Sequence, residues 1–436
     1  MWAAANHDAL TGLPNRVFLH RSLGELIDEA GHAGGDLAVL AIGIDGFREV
    51  KDVMGQDVGD ALLAEFARRL RDLCATSGFA GRLGGDEFAI VQPRCGVEQV
   101  AARAAEALRV LSRDFVVEGR TVEPSACIGI ALGPIHGERA EALLTNARIA
   151  LARAKTLGRR RVVVFASEHR DAVEERLRIA VSVRRGLDRN AFVPFYQPKT
   201  CLRTGEIVGF EALVRRREED GTVVGPAAFA AALSDPDLAP RIGRTMLEAV
   251  GRDMRDWLDR GLSVGRVAVN LSAAEFSDRG LAERILETAS RARLPLDRLE
   301  IEVTETVLLD RADDTAALTL ERLHRTGIAI ALDDFGTGFA SLSHLRLYPV
   351  DHIKIDRSFV ARMAESPGDA AIVRSVVDLG RHLGLKVTAE GVETRAQADA
   401  LRAAGCDYAQ GFLFAPAVAS EAVPTLLAKA PKVVSR

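Results

Sequence analysis

Two adjacent aspartates, Asp333 and Asp334, stand where an apolar segment opens into a glycine-rich one. The residues before them, Ile328–Leu332, are all apolar, and Phe335-Gly336-Thr337-Gly338 follows. An apolar run of this length bounded by glycines predicts a buried strand. Neighbouring carboxylates repel each other unless cations or protons lie between them. Such a pair is suited to holding two divalent metals about 3.5–4 Å apart for phosphoryl chemistry, although a lone aspartate doublet is also typical of solvated turns and helix N-caps.

Further carboxylates and amides follow other predicted strands in the second half of the chain. Short β segments alternate there with amphipathic helical segments, which indicates a (β/α)₈ barrel whose functional residues lie at the carboxyl ends of its strands. The first two strands, Phe192–Gln197 and Ile207–Glu211, are separated by a gap too short for a helical crossover. We therefore expect the first strand to be antiparallel to the rest. The predicted strands end near Gln197, Glu211, Asn270, Glu302, Asp333, Lys354–Asp356, Glu390 and Gln410.

The oxygen-bearing side chains at these strand ends are expected to converge on one rim of the barrel. Any single one of them could belong to a loop or a cap, but a set on successive strand ends favours a shared site. The set is Glu211, Asn270, Glu302, Asp333, Asp334 and Glu390. Oxygen-rich ligand sets select hard cations, so the sequence predicts Mg²⁺ or Mn²⁺ rather than zinc.

Length and composition limit the classes of protein to consider. A chain of 436 residues predicts two or three domains. The net charge of −4 gives no support to a surface that coats nucleic acid. The five cysteines are scattered and never spaced as Cys-x-x-Cys, which argues against a disulfide framework or a zinc site. Without an apolar stretch of roughly 20 residues or a signal-peptide pattern, we expect a cytoplasmic protein with no membrane segment.

A helical connector is predicted between the two halves. Residues 168–190 carry many charges, with apolar positions at Val173, Leu177, Val181 and Leu187 that suit one face of a helix. The resulting organisation is an N-terminal domain over residues 1–166, a linker helix over 167–190, and the barrel over 191–431.

Motifs in the second half resemble those of a known family. They are Tyr196-Gln197-Pro198, Glu211-Ala212-Leu213-Val214-Arg215, Asn270-Leu271-Ser272, Glu302-Val303-Thr304-Glu305, Asp333-Asp334-Phe335-Gly336-Thr337-Gly338, Lys354-Ile355-Asp356, Glu390-Gly391-Val392-Glu393 and Gln410-Gly411-Phe412. With them, residues 177–430 resemble the EAL family of cyclic-di-GMP phosphodiesterases. The resemblance implies hydrolysis of cyclic-di-GMP to linear pGpG with two bound Mg²⁺ or Mn²⁺ ions, in a TIM-like barrel.

The resemblance also implies a role for each motif residue. One metal would be bound by Glu211, Asn270, Glu302 and Asp333. Asp333, Asp334 and Glu390 would bind the second metal or hold its water. Lys354 would orient or deprotonate that water, and Glu305 would anchor the loop after Asp334. The substrate would be contacted by Gln197, Arg215, Glu393 and Gln410, with Arg215 suited to a phosphate oxygen.

The first half resembles a different family. Residues 6–165 carry His7-Asp8-Ala9-Leu10-Thr11-Gly12-Leu13-Pro14-Asn15-Arg16 and a complete Gly84-Gly85-Asp86-Glu87-Phe88. In these motifs they resemble the GGDEF family of diguanylate cyclases, which implies a nucleotidyl-cyclase-like α/β domain. The positions that match its GTP site are Asp60, Asp86, Glu87, Lys155 and Arg159.

Other positions depart from the cyclase pattern. Gly43 replaces an aspartate that binds metal in the family, and Lys51 replaces an asparagine that reads guanine with an ammonium that can only donate. Arg148 stands where an aspartate is usual. The family's inhibitory product site is also missing, because its Arg-x-x-Asp motif would fall on Ala75 and Gly78. We expect cyclase activity to be absent or vestigial. The domain is then expected to bind GTP and tune the barrel, or to mediate a homodimer.

Three functions compete for the whole chain. The first is a metal-dependent phosphodiesterase with a degenerate cyclase domain, and the second is a catalytically silent receptor for cyclic-di-GMP. Receptors of that kind typically lose metal ligands, whereas every barrel motif position is present here, which favours the enzyme. The third, a bifunctional cyclase and phosphodiesterase, is disfavoured by Gly43 and Lys51.

Overall fold

The structure, a computed structural model, describes residues 5–33, 36–75, 77–117, 119–305, 307, 315–336 and 348–429. The chain forms two compact units, which divide between Glu175 and Arg176. Within the ranges given above, no helix is both long enough and apolar enough to cross a membrane.

The first unit is an α/β domain built on one five-stranded sheet. Its elements are α1 (Arg16–Ala33), β1 (Leu37–Ile44), α2 (Phe47–Met54), α3 (Gln56–Leu73), β2 (Phe79–Gly84), β3 (Glu87–Pro93), α4 (Val97–Leu111), β4 (Phe115–Val117), β5 (Arg120–Val122), β6 (Ala126–Gly133), α5 (Ala140–Thr156) and β7 (Val162–Val164). The strand order is β2-β3-β1-β6-β7, and β1 is antiparallel to both of its neighbours. Because β1 is central, all of its residues are buried, which explains its uninterrupted apolar sequence.

A long helix follows, α6 (Ser167–Asp188), close to the predicted span of 168–190. Its C-terminal part belongs to the second unit, where Val183 and Leu187 pack with Phe192 and Phe229. The helix ends just before Asn190, which has a φ of 54° and so cannot continue a right-handed helix.

The second unit is a closed barrel surrounded by helices. Its strands are β8 (Phe192–Cys201), β9 (Ile207–Arg217), β10 (Val223–Val224), β11 (Arg266–Leu271), β12 (Leu299–Thr304), β13 (Ala329–Phe335), β14 (His352–Ile355), β15 (Lys386–Ala389), β16 (Tyr408–Ala409) and β17 (Val418–Ala419). Its helices are α7 (Ala230–Leu233), α8 (Ala239–Asp259), α9 (Leu281–Arg291), α10 (Thr315–Arg325), α11 (Arg357–Arg362), α12 (Pro367–Leu383), α13 (Arg395–Ala404) and α14 (Val423–Lys429).

The barrel closes between β8 and β9. The order β9-β11-β12-β13-β14-β15-β16-β8 returns to β9 through an additional pairing of β8 with β9. Strand β8 is antiparallel to both β9 and β16, whereas the strands from β9 to β16 pair in parallel. The predicted barrel with an antiparallel first strand is therefore confirmed.

The first two barrel strands are longer than the sequence predicts. Strand β8 continues to Cys201 and β9 to Arg217, because the two form one hairpin paired along most of its length. Gln197 and Glu211 face each other across this pairing. Both residues lie within their strands and not at the strand ends.

Alternation along the parallel strands separates an apolar outer face from a polar interior. Ile301 and Val303 of β12 belong to the large apolar cluster between the barrel and its helices. Successive side chains of a strand point to opposite faces. Glu300 and Glu302 therefore face the barrel interior, although both are almost fully buried.

The packing of α10 against this cluster generates a stability prediction. Leu323 is fully buried, whereas Leu318 on the same helix is 64% exposed. Leu323→Ala should lower the free energy of unfolding of the barrel by about 2–5 kcal/mol, as measured by urea denaturation. Leu318→Ala is the matched control, and its effect should stay within about 0.5 kcal/mol. Equal effects of the two substitutions would contradict the packing described here.

Candidate metal centre and active site

The aspartate pair lies on a β-bulge at the end of β13. Leu332 pairs with Ile353 and Phe335 with Ile355, so Asp333 and Asp334 together stand opposite Lys354. Neighbouring side chains of a regular strand point to opposite faces, and a bulge re-aims one of them. Asp334 has a φ of 54°, a left-handed conformation that is uncommon for a residue with a side chain. Backbone strain of this kind collects at functional sites.

The ammonium group of Lys354 lies at the centre of a cluster of carboxylates, which consists of Glu211, Glu302, Asp333 and Glu390. Its Nζ is 2.6 Å from Glu390 Oε1, 2.7 Å from Glu302 Oε2, and 3.2 Å from both Glu211 Oε2 and Asp333 Oδ1. Lys354 is only 1% exposed. One buried cation therefore contacts four carboxylates, three of which lie in strands β9, β12 and β13 and one directly after strand β15.

Amide side chains complete the surroundings of Glu211. Asn270 Nδ2 donates to Glu211 Oε1 at 2.8 Å, and Gln410 Nε2 donates to Glu211 Oε2 at 2.7 Å. The same Gln410 nitrogen lies 2.9 Å from Gln197 Oε1. Two of the predicted amide side chains therefore contact Glu211 directly, and the third, Gln197, contacts Gln410.

Two of the four carboxylates that contact Lys354, Glu211 and Glu302, differ in how this environment changes their pKa values. Burial disfavours the charged form of Glu211, but the ammonium groups of Lys354 and Lys199 outweigh burial and lower the pKa of Glu211 to about 2. Burial, together with the negative charge of Glu211, raises the pKa of Glu302 well above its usual range. Neighbouring carboxylates that cannot all ionise call for additional cations.

Glu390 and Asp334 also have pKa values that are raised in this environment. Burial raises the pKa of Glu390 to about 7, although Lys354 opposes the change. Burial and the adjacent Asp333 raise the pKa of Asp334. Both carboxylates are therefore protonated more readily than an exposed carboxylate is.

Two overlapping groups of carboxylates have the geometry to hold a metal ion. Glu211, Glu302 and Asp333 form one group, and Asp333, Asp334 and Glu390 form the other. Within each group the ligand oxygens lie within 4.8 Å of one another, and Asp333 belongs to both. All of these ligand atoms are carboxylate oxygens, which hard divalent cations prefer. The residues present therefore fit a bound metal.

A buried ionic layer beneath this cluster was missed by the sequence reasoning. Lys199 Nζ donates to Glu302 Oε1 at 2.6 Å and also to Glu300. The other oxygen of Glu300 lies 2.6 Å from His352 Nδ1. The available signal was spacing, because Glu300 precedes Glu302, and His352 precedes Lys354, by two residues on the same strand face.

The remaining predicted residues of the barrel are placed as follows. Glu305 Oε1 accepts the backbone N–H of Gly336 at 2.9 Å, which ties the end of β12 to the residue after β13. Thr337 and Gly338 of the motif lie outside the described residues. Arg215 donates to the carbonyl oxygen of Val214 at 2.9 Å and lies over the ring of Phe195. Glu393 is exposed, with its backbone N–H donating to Gln397.

In the first unit, several of the residues that were predicted to bind GTP contact other side chains of the protein. Lys155 Nζ lies 3.2 Å from Asp86 Oδ2, and Glu87 Oε2 accepts from Arg148 Nε at 2.8 Å. Asp60 accepts from Gln56 at 3.1 Å. A cleft of about 640 Å³ is lined by Asp86, Lys155 and Arg159, together with residues 44–49, Lys51, Asp52 and Gly158.

Comparison with known proteins identifies both halves. The family model described as "EAL domain" matches residues 180–417, more than half of the chain. The chain belongs to the EAL family. A second family model, "Diguanylate cyclase, GGDEF domain", matches residues 5–161, so this EAL protein carries a GGDEF domain ahead of its barrel.

Several curated relatives match almost the whole of this chain. The protein named bifunctional diguanylate cyclase/cyclic di-GMP phosphodiesterase MucR, from Pseudomonas aeruginosa, is 38% identical over 94% of this chain and 60% of its own length. The cyclic di-GMP phosphodiesterase PdeR of Escherichia coli is 33% identical over 96% of this chain and 63% of its own length. The chain thus spans less than two thirds of the length of these relatives.

Solved structures match the barrel. The MucR phosphodiesterase in complex with c-di-GMP has a TM-score of 0.54 and 38% identity, and the match covers 56% of this chain and 98% of that one. An EAL domain protein from Listeria monocytogenes has a TM-score of 0.50 and 27% identity, with 56% and 96% covered.

The buried lysine beneath the cluster generates a second stability prediction. Lys199→Met would leave Glu300 and Glu302 buried without their shared ammonium, and breaking a buried ion pair in this way costs about 3–5 kcal/mol. Lys386→Met removes an ion pair with Asp407 on the same barrel, but Lys386 is half exposed, so its cost should be at most about 1 kcal/mol. Urea denaturation compares the two. If the Lys199→Met protein were as stable as the Lys386→Met protein, Lys199 would not be the ammonium that stabilises buried Glu300 and Glu302.

Proposed function

We propose that the barrel hydrolyses cyclic-di-GMP to linear pGpG with two bound divalent cations, Mg²⁺ or Mn²⁺. The observation that carries the proposal is the convergence of Glu211, Glu302, Asp333 and Glu390 on Lys354. The proposal is also supported by the two groups of carboxylate oxygens, which could each hold a metal ion and which share Asp333. Relatives named as cyclic-di-GMP phosphodiesterases point to the same substrate.

The carboxylates would divide between the two ions. When bound, the cations would lower the pKa of a coordinated water and neutralise charge on the phosphate oxygens. Glu211, Asn270, Glu302 and Asp333 would hold one ion, and Asp333, Asp334 and Glu390 would hold the other. The bulge that turns both aspartates toward the site makes the shared role of Asp333 possible.

Lys354 has a part both before and after the metals are bound. Its ammonium contacts four carboxylates in the structure described here. With the cations in place, fewer of these contacts would be needed, and the ammonium would be free to orient the attacking water together with Glu390. Lys354 can move from the carboxylates to the water because its Nζ lies within reach of ligands from both metal groups.

Substrate contacts come from the amides and the arginine near the cluster. Arg215 can direct its planar guanidinium to a phosphate oxygen. The Oε1 atom of Gln410 is buried without a hydrogen-bond partner among the residues that the structure describes, so it can accept a donor from the nucleotide. Gln197 and Glu393 would line the same face. Glu305, through the N–H of Gly336, would hold the loop that follows the aspartate pair.

For the first unit we propose a regulatory or dimerising role without cyclase activity. MucR is named as bifunctional, but Gly43 of this chain offers no side chain to a metal. The domain would bind GTP or join two copies of the chain in a homodimer, and thereby affect the barrel.

The proposed reaction has a direct test. The protein, incubated with cyclic-di-GMP and Mg²⁺, should form pGpG, and EDTA should stop the reaction, as followed by chromatography. Glu302→Gln should lower kcat by more than about 100-fold, because even partners of metal ligands cost about 10–100-fold. Glu287→Gln, on an exposed helix surface, is the control and should keep the full rate. Tight binding of cyclic-di-GMP without turnover would instead establish a silent receptor.

The shared ligand has its own test. Wild-type protein should bind two Mn²⁺ ions per chain in equilibrium dialysis. Asp334→Asn should leave one ion bound, whereas Asp333→Asn should leave neither site at its original affinity, since Asp333 belongs to both groups. If the two variants lost the same single ion, Asp333 would not be the bridging ligand.

A further inference from the structure

Gly43 at the end of β1 leaves a space that another residue has filled. A Cβ atom on Gly43 would lie 2.6 Å from Lys155 Cε and 2.7 Å from Lys155 Nζ. These distances are too short for non-bonded atoms, so the lysine occupies the place where a side chain at position 43 would begin. In cyclases of the family this position carries an aspartate that binds metal. Here a cation of the protein itself lies in that position.

The two carboxylates of the GGDEF motif are both paired with cations of one helix. Lys155 Nζ lies 3.2 Å from Asp86 Oδ2, and Arg148 Nε lies 2.8 Å from Glu87 Oε2. Lys155 and Arg148 are seven residues apart on α5, about two helical turns, and so share a face of the helix. With one ligand missing and the others neutralised, these residues do not fit a divalent metal.

The cleft nevertheless keeps basic side chains that can contact an anion. Its volume of about 640 Å³ is within the range of pockets for small ligands. Four basic residues line it, namely Arg48, Lys51, Lys155 and Arg159, beside four acidic ones, Asp45, Glu49, Asp52 and Asp86. The side chain of Lys155 is 37% exposed, so a ligand can reach its ammonium while Asp86 still contacts it.

We propose that this cleft binds the triphosphate of a nucleotide without a divalent cation. The ammonium of Lys155 takes the place of the metal between Asp86 and the phosphate oxygens, and Arg159 provides a second, forked donor. An ammonium supplies charge and hydrogen bonds but no Lewis acid to activate a hydroxyl group, so binding is not followed by phosphoryl transfer. The proposal deepens the nucleotide role proposed above for the first unit and is independent of the activity of the barrel.

Calorimetry with GTP and the full-length protein tests the absence of a metal requirement. Wild-type protein should bind GTP in EDTA with an affinity within about threefold of that in Mg²⁺, and inorganic tripolyphosphate should compete for the site. Lys155→Met should weaken binding in EDTA by about tenfold or more, since a hydrogen bond to a charged group is lost. Binding that requires Mg²⁺, no binding at millimolar GTP, or no competition by tripolyphosphate would each overturn the proposal.

A matched pair of substitutions at Gly43 distinguishes the steric effect of a side chain at this position from the effect of its negative charge. Gly43→Ala and Gly43→Asp both place a Cβ where Lys155 lies, so both should weaken binding in EDTA. Only Gly43→Asp returns a carboxylate beside Asp86, so only this variant should bind GTP more tightly when Mg²⁺ is added. Identical responses of the two variants to Mg²⁺ would contradict the assignment. Turnover of cyclic-di-GMP, measured on the same samples, reports separately on the barrel.

Discussion

Mutual repulsion among buried carboxylates is the constraint on which the barrel site depends. Carboxylates from separate strands face one interior region, and they can remain ionised there only with cations between them. Lys354 supplies one such cation to four of them, and Lys199 supplies another from below. The carboxylates still outnumber these ammonium groups, as the raised pKa values of Glu302, Glu390 and Asp334 show. The remaining negative charge is what makes the site suitable for divalent metals.

The sequence predicted the part of this arrangement that follows from strand ends. The apolar run before Asp333, the short gap after the first strand and the polar residues after successive strands were sufficient to predict the barrel, its antiparallel strand and the rim. It could not predict the bulge, because a bulge exists only relative to the register of β14. Lys199 was missed for a similar reason: its partners lie about a hundred residues away in sequence, at Glu300 and Glu302.

The two units deal with neighbouring carboxylates in opposite ways. In the barrel, Asp333 and Asp334 remain part of groups that can accept further cations. In the first unit, Asp86 and Glu87 each contact a basic side chain of α5, and the glycine at position 43 admits one of those side chains. The complete GGDEF motif is therefore not a complete metal site. What distinguishes the two halves is the charge of the surrounding residues and not the presence of a short sequence motif.

Anomalous diffraction from crystals of the whole chain soaked in Mn²⁺ tests this account most directly, because it locates every bound ion without reference to activity. We predict two Mn²⁺ positions in the barrel, both within about 2.0–2.6 Å of an Asp333 oxygen, and none beside Asp86. A map with no ion at Asp333, or with an ion bound by Asp86, would contradict the placement of the metal chemistry in the barrel.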